Sequence, residues 1–266
     1  MDTRSRMPAI FFGHGSPMNA LEQNRYTQAW KQLGALAGRP KTILAISAHW
    51  YTHGTAVTAM ERPKTIHDFY GFPQALFEVQ YPAPGDPKLA ARVRELLAPL
   101  DVALDRSWGL DHGTWSVLKH AFPSAEVPVV QLAIDGTKPA SFHYALGAHL
   151  APLRDEGVLL VGSGNVVHNL RTIGWDGGAP YDWAMRFNDH VREAIQAKQY
   201  DRLIDFGTAA ADARLAAPTP DHYLPLLYIL GAQAPDETAH IAIDGLELKS
   251  IGMMSLWVDA APAAGS

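Results

Sequence analysis

The chain has 266 residues, a formal net charge of −5 at pH 7, and 47% hydrophobic against 18% charged residues; this is enough apolar material for one buried core and too little charge for a disordered or coiled-coil chain. The negative balance, with no clustered stripe of Lys and Arg, argues against nucleic acid or an anionic membrane as partner and favours small-molecule chemistry. The absence of cysteine excludes disulfides, iron–sulfur clusters, thiolate zinc sites and cysteine nucleophiles, so any metal must be held by nitrogen or oxygen, and the 12 histidines become the natural place to look.

Short apolar runs ending in Gly or Ser alternate with stretches of helical period, which predicts a single-domain α/β fold around a largely parallel or mixed sheet. The opening MDTRSRMPAIFF is basic, but its apolar run is too short for a signal-peptide core and leads straight into GHGS, so a cytoplasmic protein is expected. Pro8 to Phe12 (PAIFF) reads as the first strand and Gln23 to Leu36 as a helix. Thr42 to Ser47 (TILAIS) and Ala56 to Met60 follow as strands, and the Pro- and Gly-rich segments YGFPQ and YPAPGDP as loops. Asp86 is placed to cap a helix with Pro87 at its first position, and Leu89, Val93, Leu96, Leu97 and Leu100 continue at helical spacing. Strands are then expected at Val102 to Asp105, Val127 to Ala133, Gly157 to Gly162 and Met253 to Val258, and helices at Ser141 to Leu153, Tyr181 to Lys198 and Asp221 to Leu230. YLPLLYILGA within the last of these is about half the length a bilayer span needs and reads as a buried helix.

In open α/β folds the ligand site lies at the carboxyl ends of the strands, so polar residues just after a strand are best placed for chemistry. His14 follows PAIFF in GHGSP, His49 follows TILAIS in AHW, and His168 follows GVLLV after the turn GSGNV. His222 opens the apolar helix after PTPD, and His112 sits in LDHGTW just before a short helical run. The positive end of a helix dipole favours the neutral imidazole, the form that ligates metal or acts as a base. One such histidine is most simply structural; five raise the case for a shared site, and the residues alone leave a metal centre and a set of structural histidines both open. His67, in IHDFYGFP, lies in an aromatic loop that covers either a planar substrate or the core. His53, His120, His143, His149, His190 and His240 read as solvated or locally hydrogen-bonded.

Other motifs carry less. GSGNVV resembles a dinucleotide fingerprint but has Val167 where the third glycine belongs, and neither GHGSP nor GSGN fits the nucleophile elbow G-x-S-x-G. Ser16 and Ser163 are read as turn residues. Nothing in the sequence speaks to oligomeric state.

Taken in order, GHGSP, AISAHW, IHDFYGFP, YPAPGDP, LDHGTW, GSGNVVHNL and TPDHYLPLLY resemble the class III extradiol ring-cleavage dioxygenases of the LigB superfamily, in the branch similar to DOPA 4,5-dioxygenase, over about residues 8 to 258. The resemblance implies one catalytic domain with one divalent metal held by His14, His49 and His222, His168 as acid/base beyond the ligands, and His112 in contact with substrate or oxygen. Other branches supply a glutamate where this chain has His222. Three neutral histidines with an open position describe a zinc site as well as an iron site, and zinc ranks above Fe(II) for nitrogen ligands. The expectation is therefore Zn(II) in purified protein, with His168 available as a fourth ligand in that resting form, and Fe(II) for dioxygenation. Small catechols such as DOPA, together with O2, are the implied substrates. His168 would take up a catechol proton and return it as the O–O bond breaks, giving a muconic semialdehyde. Two rival readings use the same residues: a zinc hydrolase with His168 as general base, and a noncatalytic protein that binds a metal or an aromatic ligand.

Overall fold

A computed structural model describes residues 6–260. Its framework is one mixed sheet of eight strands. In chain order they are β1 (Ala9–Gly13), β2 (Thr42–Thr52), β3 (Thr55–Thr58), β4 (Val102–Asp105), β5 (Val129–Asp135), β6 (Val158–Gly164) and β7 (Glu237–Ile243); a two-stranded ribbon of β8 (Leu246–Glu247) and β9 (Ile251–Gly252) intervenes before β10 (Ser255–Ala260). The spatial order is β4-β3-β5-β2-β6-β1-β10-β7. β5, β2, β6 and β1 run parallel at the centre, while β10 joins antiparallel to both β1 and β7.

The central strands are apolar at successive positions because both faces of the sheet are covered. Along β2, Leu44 and Ile46 face one core and Ile43 and Ala45 the other; along β6, Leu160 and Leu159 divide the same way. The first face carries α2 (Pro87–Leu96), α4 (Ala140–Leu150), α5 (Asp182–Gln196) and α6 (Leu224–Gly231). The second carries α1 (Arg25–Ala37) and α3 (His112–Ala121). Asp86 caps α2 through Lys88 and Leu89, with Pro87 at the first position as its sequence predicts. α1 begins one residue after Asn24, which forms a reciprocal capping box with Thr27.

Three differences from the sequence reading bear on the site. β2 does not stop at Ser47 but continues to Thr52, so His49 lies inside it. Its pairing with β6 ends at Ser47, and its register with β5 shifts between Ile46 and Tyr51, which turns the intervening residues out of the regular ladder. GSG of Gly162 to Gly164 is the end of β6 and not a turn. α6 begins at Leu224, so His222 sits in the turn before it and not at the start of the helix. β7 also went unread, since ETAHIAI alternates only weakly in polarity and its outer face is partly exposed.

Parallel register sets the level of the site. Ser163 on β6 pairs with Phe12 on β1 and with Ser47 on β2, so the chain beyond each leaves the sheet at the same carboxyl edge. His14 follows β1 directly and is tied to β6 by its N–H on the Gly164 carbonyl at 3.1 Å.

Candidate metal centre

At that edge the ring centroids of His14, His49 and His222 form a near-equilateral triangle, with separations of 5.1, 5.2 and 5.0 Å. Nε2 of His14 lies 3.3 Å from Nε2 of His49. Two nitrogens about 2.0–2.1 Å from a single ion in tetrahedral array are about 3.3–3.4 Å apart, so the pair is already spaced for shared ligation.

The other nitrogen of each ring lies against a polar side chain. Nδ1 of His14 is 2.9 Å from Ser163 Oγ, and that hydroxyl gives its own proton to the Gly113 carbonyl at 2.5 Å. His14 must then donate from Nδ1, which leaves Nε2 with a bare lone pair. Nδ1 of His49 faces Asp68 Oδ2 at 3.3 Å. Nδ1 of His222 meets Asp221 Oδ2, and its Nε2 is buried with no hydrogen-bond partner among the described residues. A buried nitrogen without a partner, beside two others in position, is what an all-nitrogen cation site looks like before the cation is considered.

Burial would raise the Asp221 carboxyl, but its hydrogen bond with His222 and the nearness of that ring outweigh burial and hold it well below the usual carboxylate range. Burial pushes His14 and His49 well below the ordinary imidazole value, and the neighbouring histidines push the same way. Neutral rings are therefore the resting state of both.

His168 is carried past β6 and anchored by its N–H on the Ala216 carbonyl at 2.7 Å. Its ring stacks on His222 at 3.4 Å and 6°. Lone pairs of stacked rings lie in parallel planes and do not meet at one point, so this orientation does not suit His168 as a fourth ligand beside His222. Burial first, and then the neighbouring His222, keeps its pKa well below the ordinary value. His112 is the first residue of α3 and packs 3.9 Å from the ring of His49. Its Nδ1 lies 3.0 Å from Asp68 Oδ2 without the alignment of a hydrogen bond.

By proximity of ligand atoms alone, two groups stand out among the described residues: His14, His49 and His112, and His168, Asp221 and His222, each with atoms within 4.8 Å of one another. In the second, Asp221 is already spent on its neighbour His222. In the first, His112 has one nitrogen turned to Asp68. The centroid triangle with the free Nε2 of His222 thus competes with the His112 group for the same ion.

All five histidines line a cavity of about 270 Å³, below the roughly 300–1,000 Å³ typical of drug-sized ligands and suited to a single small ring. Phe69 and Phe72 form part of its wall; Tyr70, Trp175 and Leu170, exposed by 92%, 77% and 61%, stand at its opening. His67 does not line it. That ring donates from Nε2 to the Val79 carbonyl at 2.9 Å and packs among Phe69, Phe77 and Trp115, so it fastens the loop and the expectation of a substrate contact is corrected. Asp68, Asp221 and Ser163 were missed by the sequence reading; Asp68 and Asp221 could have been flagged because each directly adjoins a histidine. His120, donating to the Asn19 carbonyl at 2.8 Å, behaves as a locally bonded histidine.

Comparison with known proteins points one way. Residues 8–258 match the family model described as the catalytic LigB subunit of aromatic ring-opening dioxygenase. A protein of Escherichia coli (strain K12) named 4,5-DOPA dioxygenase extradiol is 52% identical, with 96% of this chain and 95% of that one covered. A protein of the same name from Beta vulgaris is 38% identical over 87% of this chain and 89% of its own. A crystal structure of an uncharacterized protein from Escherichia coli K12 superposes with a TM-score of 0.83 at 48% identity, over 95% of this chain and 99% of the other.

Proposed function

Because this chain belongs to the LigB family of aromatic ring-opening dioxygenases, we propose that it opens the ring of a small catechol, DOPA among the candidates, beside the diol with O2, giving a muconic semialdehyde. The observation that supports the reading is the near-equilateral triangle of the His14, His49 and His222 rings, with the Nε2 atoms of His14 and His49 3.3 Å apart and Nε2 of His222 buried, at a small, aromatic-walled cavity. His14, His49 and His222 would hold one divalent cation there. Fe(II) in that position would supply the one-electron chemistry with O2 that no side chain offers and that zinc lacks.

The remaining steps fall to the chain's own residues. His168 is neutral, half-buried and lines the cavity, so its ring can take a proton from a catechol hydroxyl and return it later in the reaction. His112, at the amino end of α3, faces the same space and would contact the ring substituents or oxygen. Ser163 and Asp221 fix the tautomers of His14 and His222, and the phenylalanines exclude bulk water.

The test is metal analysis of purified protein, then anaerobic loading with Fe(II) and measurement of oxygen uptake and ring-opened product with DOPA and a panel of simple catechols. Stoichiometric oxygen consumption with a yellow product is expected. Iron-loaded protein that consumes no oxygen above buffer with any catechol overturns the proposal.

A further inference from the structure

Asp68 sits where two parts of the site meet. It belongs to the loop before Phe69, is 18% exposed and lines the cavity. Its Oδ1 accepts the backbone N–H of His112 at 2.9 Å, while Oδ2 lies 3.3 Å from Nδ1 of His49 and 3.0 Å from Nδ1 of His112. One carboxylate oxygen thus faces two imidazoles whose centroids are 3.9 Å apart.

A carboxylate behind a ligating imidazole fixes its tautomer and orientation and makes the opposite nitrogen a better donor. Asp221 stands in that relation to His222 through a hydrogen bond, and Asp68 is placed behind His49 with its Oδ2 3.3 Å from Nδ1. Two negative charges then lie directly behind a set of neutral ligands. Negative charge that a glutamate ligand would bring next to a cation is here supplied from one layer further out, where it leaves the coordination positions free. Asp68 differs from Asp221 in also holding the backbone N–H of His112 and lying beside its ring, so the loop, β2 and the start of α3 meet at one carboxylate.

We propose that Asp68 is a positioning residue that couples the two halves of the site, aiming His49 at the metal and holding His112 against the bound catechol. This rests on the reading of His49 as ligand and His112 as substrate contact. It requires that one substitution at Asp68 weaken both metal and catechol binding.

The test uses full-length protein stripped of metal and titrated with Zn(II) against a chromophoric chelator, followed by spectral titration of the zinc form with 4-nitrocatechol, which needs no turnover. In D68N, zinc affinity is expected to fall about 10–100-fold, with D68E recovering most of it. Nitrocatechol affinity should fall in both D68N and H112A, and the double variant should be no weaker than the weaker single one, because both remove the same contact. Wild-type zinc affinity in D68N, or additive losses in the double variant, overturns the proposal. So does a drop in the melting temperature of the metal-free form that D68E shares without restoring zinc binding, since Asp68 would then only hold the fold. Oxygen uptake by iron-loaded wild type is measured separately: its failure defeats the dioxygenase reading, while the zinc and nitrocatechol results decide the role of Asp68.

Discussion

Single side chains at this site are governed by which ring nitrogen is occupied. Ser163 and Asp221 take Nδ1 of His14 and His222, and His168 lies flat on His222 with no such anchor at its ring among the described residues. Replacing His168 with Ala should therefore leave metal content and catechol binding intact and lower kcat by roughly 10²–10⁴, the range for a lost acid/base group. Metal analysis, nitrocatechol titration and kcat under matched Fe(II) loading check this; loss of metal would make His168 a ligand, and unchanged kcat would remove it from the reaction. Acid should act on the same residues. His14, His49 and His168 are held below the ordinary imidazole value by burial and by neighbouring histidines, His222 and His112 foremost, so in mildly acidic solution the unfolded chain binds protons that the folded one refuses. Stability is then complete above about pH 6.5 and is lost as pH falls below it, by up to about 1.4 kcal/mol per pH unit for each such imidazole. Urea midpoints of metal-free protein at pH 7.5 and 5.5 should differ in that direction, and equal midpoints would refute it. At this scale His14 was legible because the end of β1 shows in an apolar pattern, whereas His49 was read at a strand end and lies inside β2. Their partners were not: whether Asp68 faces His49, His112 or solvent depends on how a loop folds over α3, and no local spacing encodes that.

Among the elements, the close approach of the His222 turn to β6 does the most to assemble the site. A Cβ on Gly164 would lie 2.1 Å from the His222 carbonyl oxygen, and Asn165 donates its N–H to that same oxygen at 2.8 Å. Gly164→Ala must push the turn away from the sheet; a destabilisation of about 1–3 kcal/mol is expected, with weaker zinc binding alongside. Urea denaturation and chelator competition read the two effects, and an alanine variant equal to wild type in both would show that the turn is free to shift. GSGN in the sequence looked like a turn because Gly and Ser normally punctuate structure, whereas here small residues let a neighbouring segment sit against a strand. The central strands and α2 were legible for the opposite reason: β2, β5 and β6 are covered on both faces and so read as unbroken apolar runs, and Asp86-Pro87 is a capping signal that works locally. β7, with one exposed face, carried too weak a pattern.

For the molecule as a whole, the proposed ligands lie far apart in the chain, from His14 to His222, so one cation would close most of its length into a loop. Zinc should accordingly raise resistance to unfolding by about 2.7 kcal/mol when free metal is one hundred times its dissociation constant. Melting of stripped protein against zinc concentration measures this, and a midpoint that does not move would argue against a site bridging these residues. No helix among the described residues is long and apolar enough to cross a membrane. The order of strands has a further consequence during synthesis. β1 is made first, yet its two neighbours in the sheet are β6 and β10, and the Gly13 N–H just before His14 is held by Ser255 Oγ at 3.0 Å. At about 5–20 residues per second, translation leaves this strand waiting roughly 12–50 s for its last neighbour to be made. His14 therefore cannot take its final place on the ribosome until almost the whole chain has emerged, and a nascent chain stalled before Ser255 would present an uncovered apolar edge to chaperones in place of a finished site.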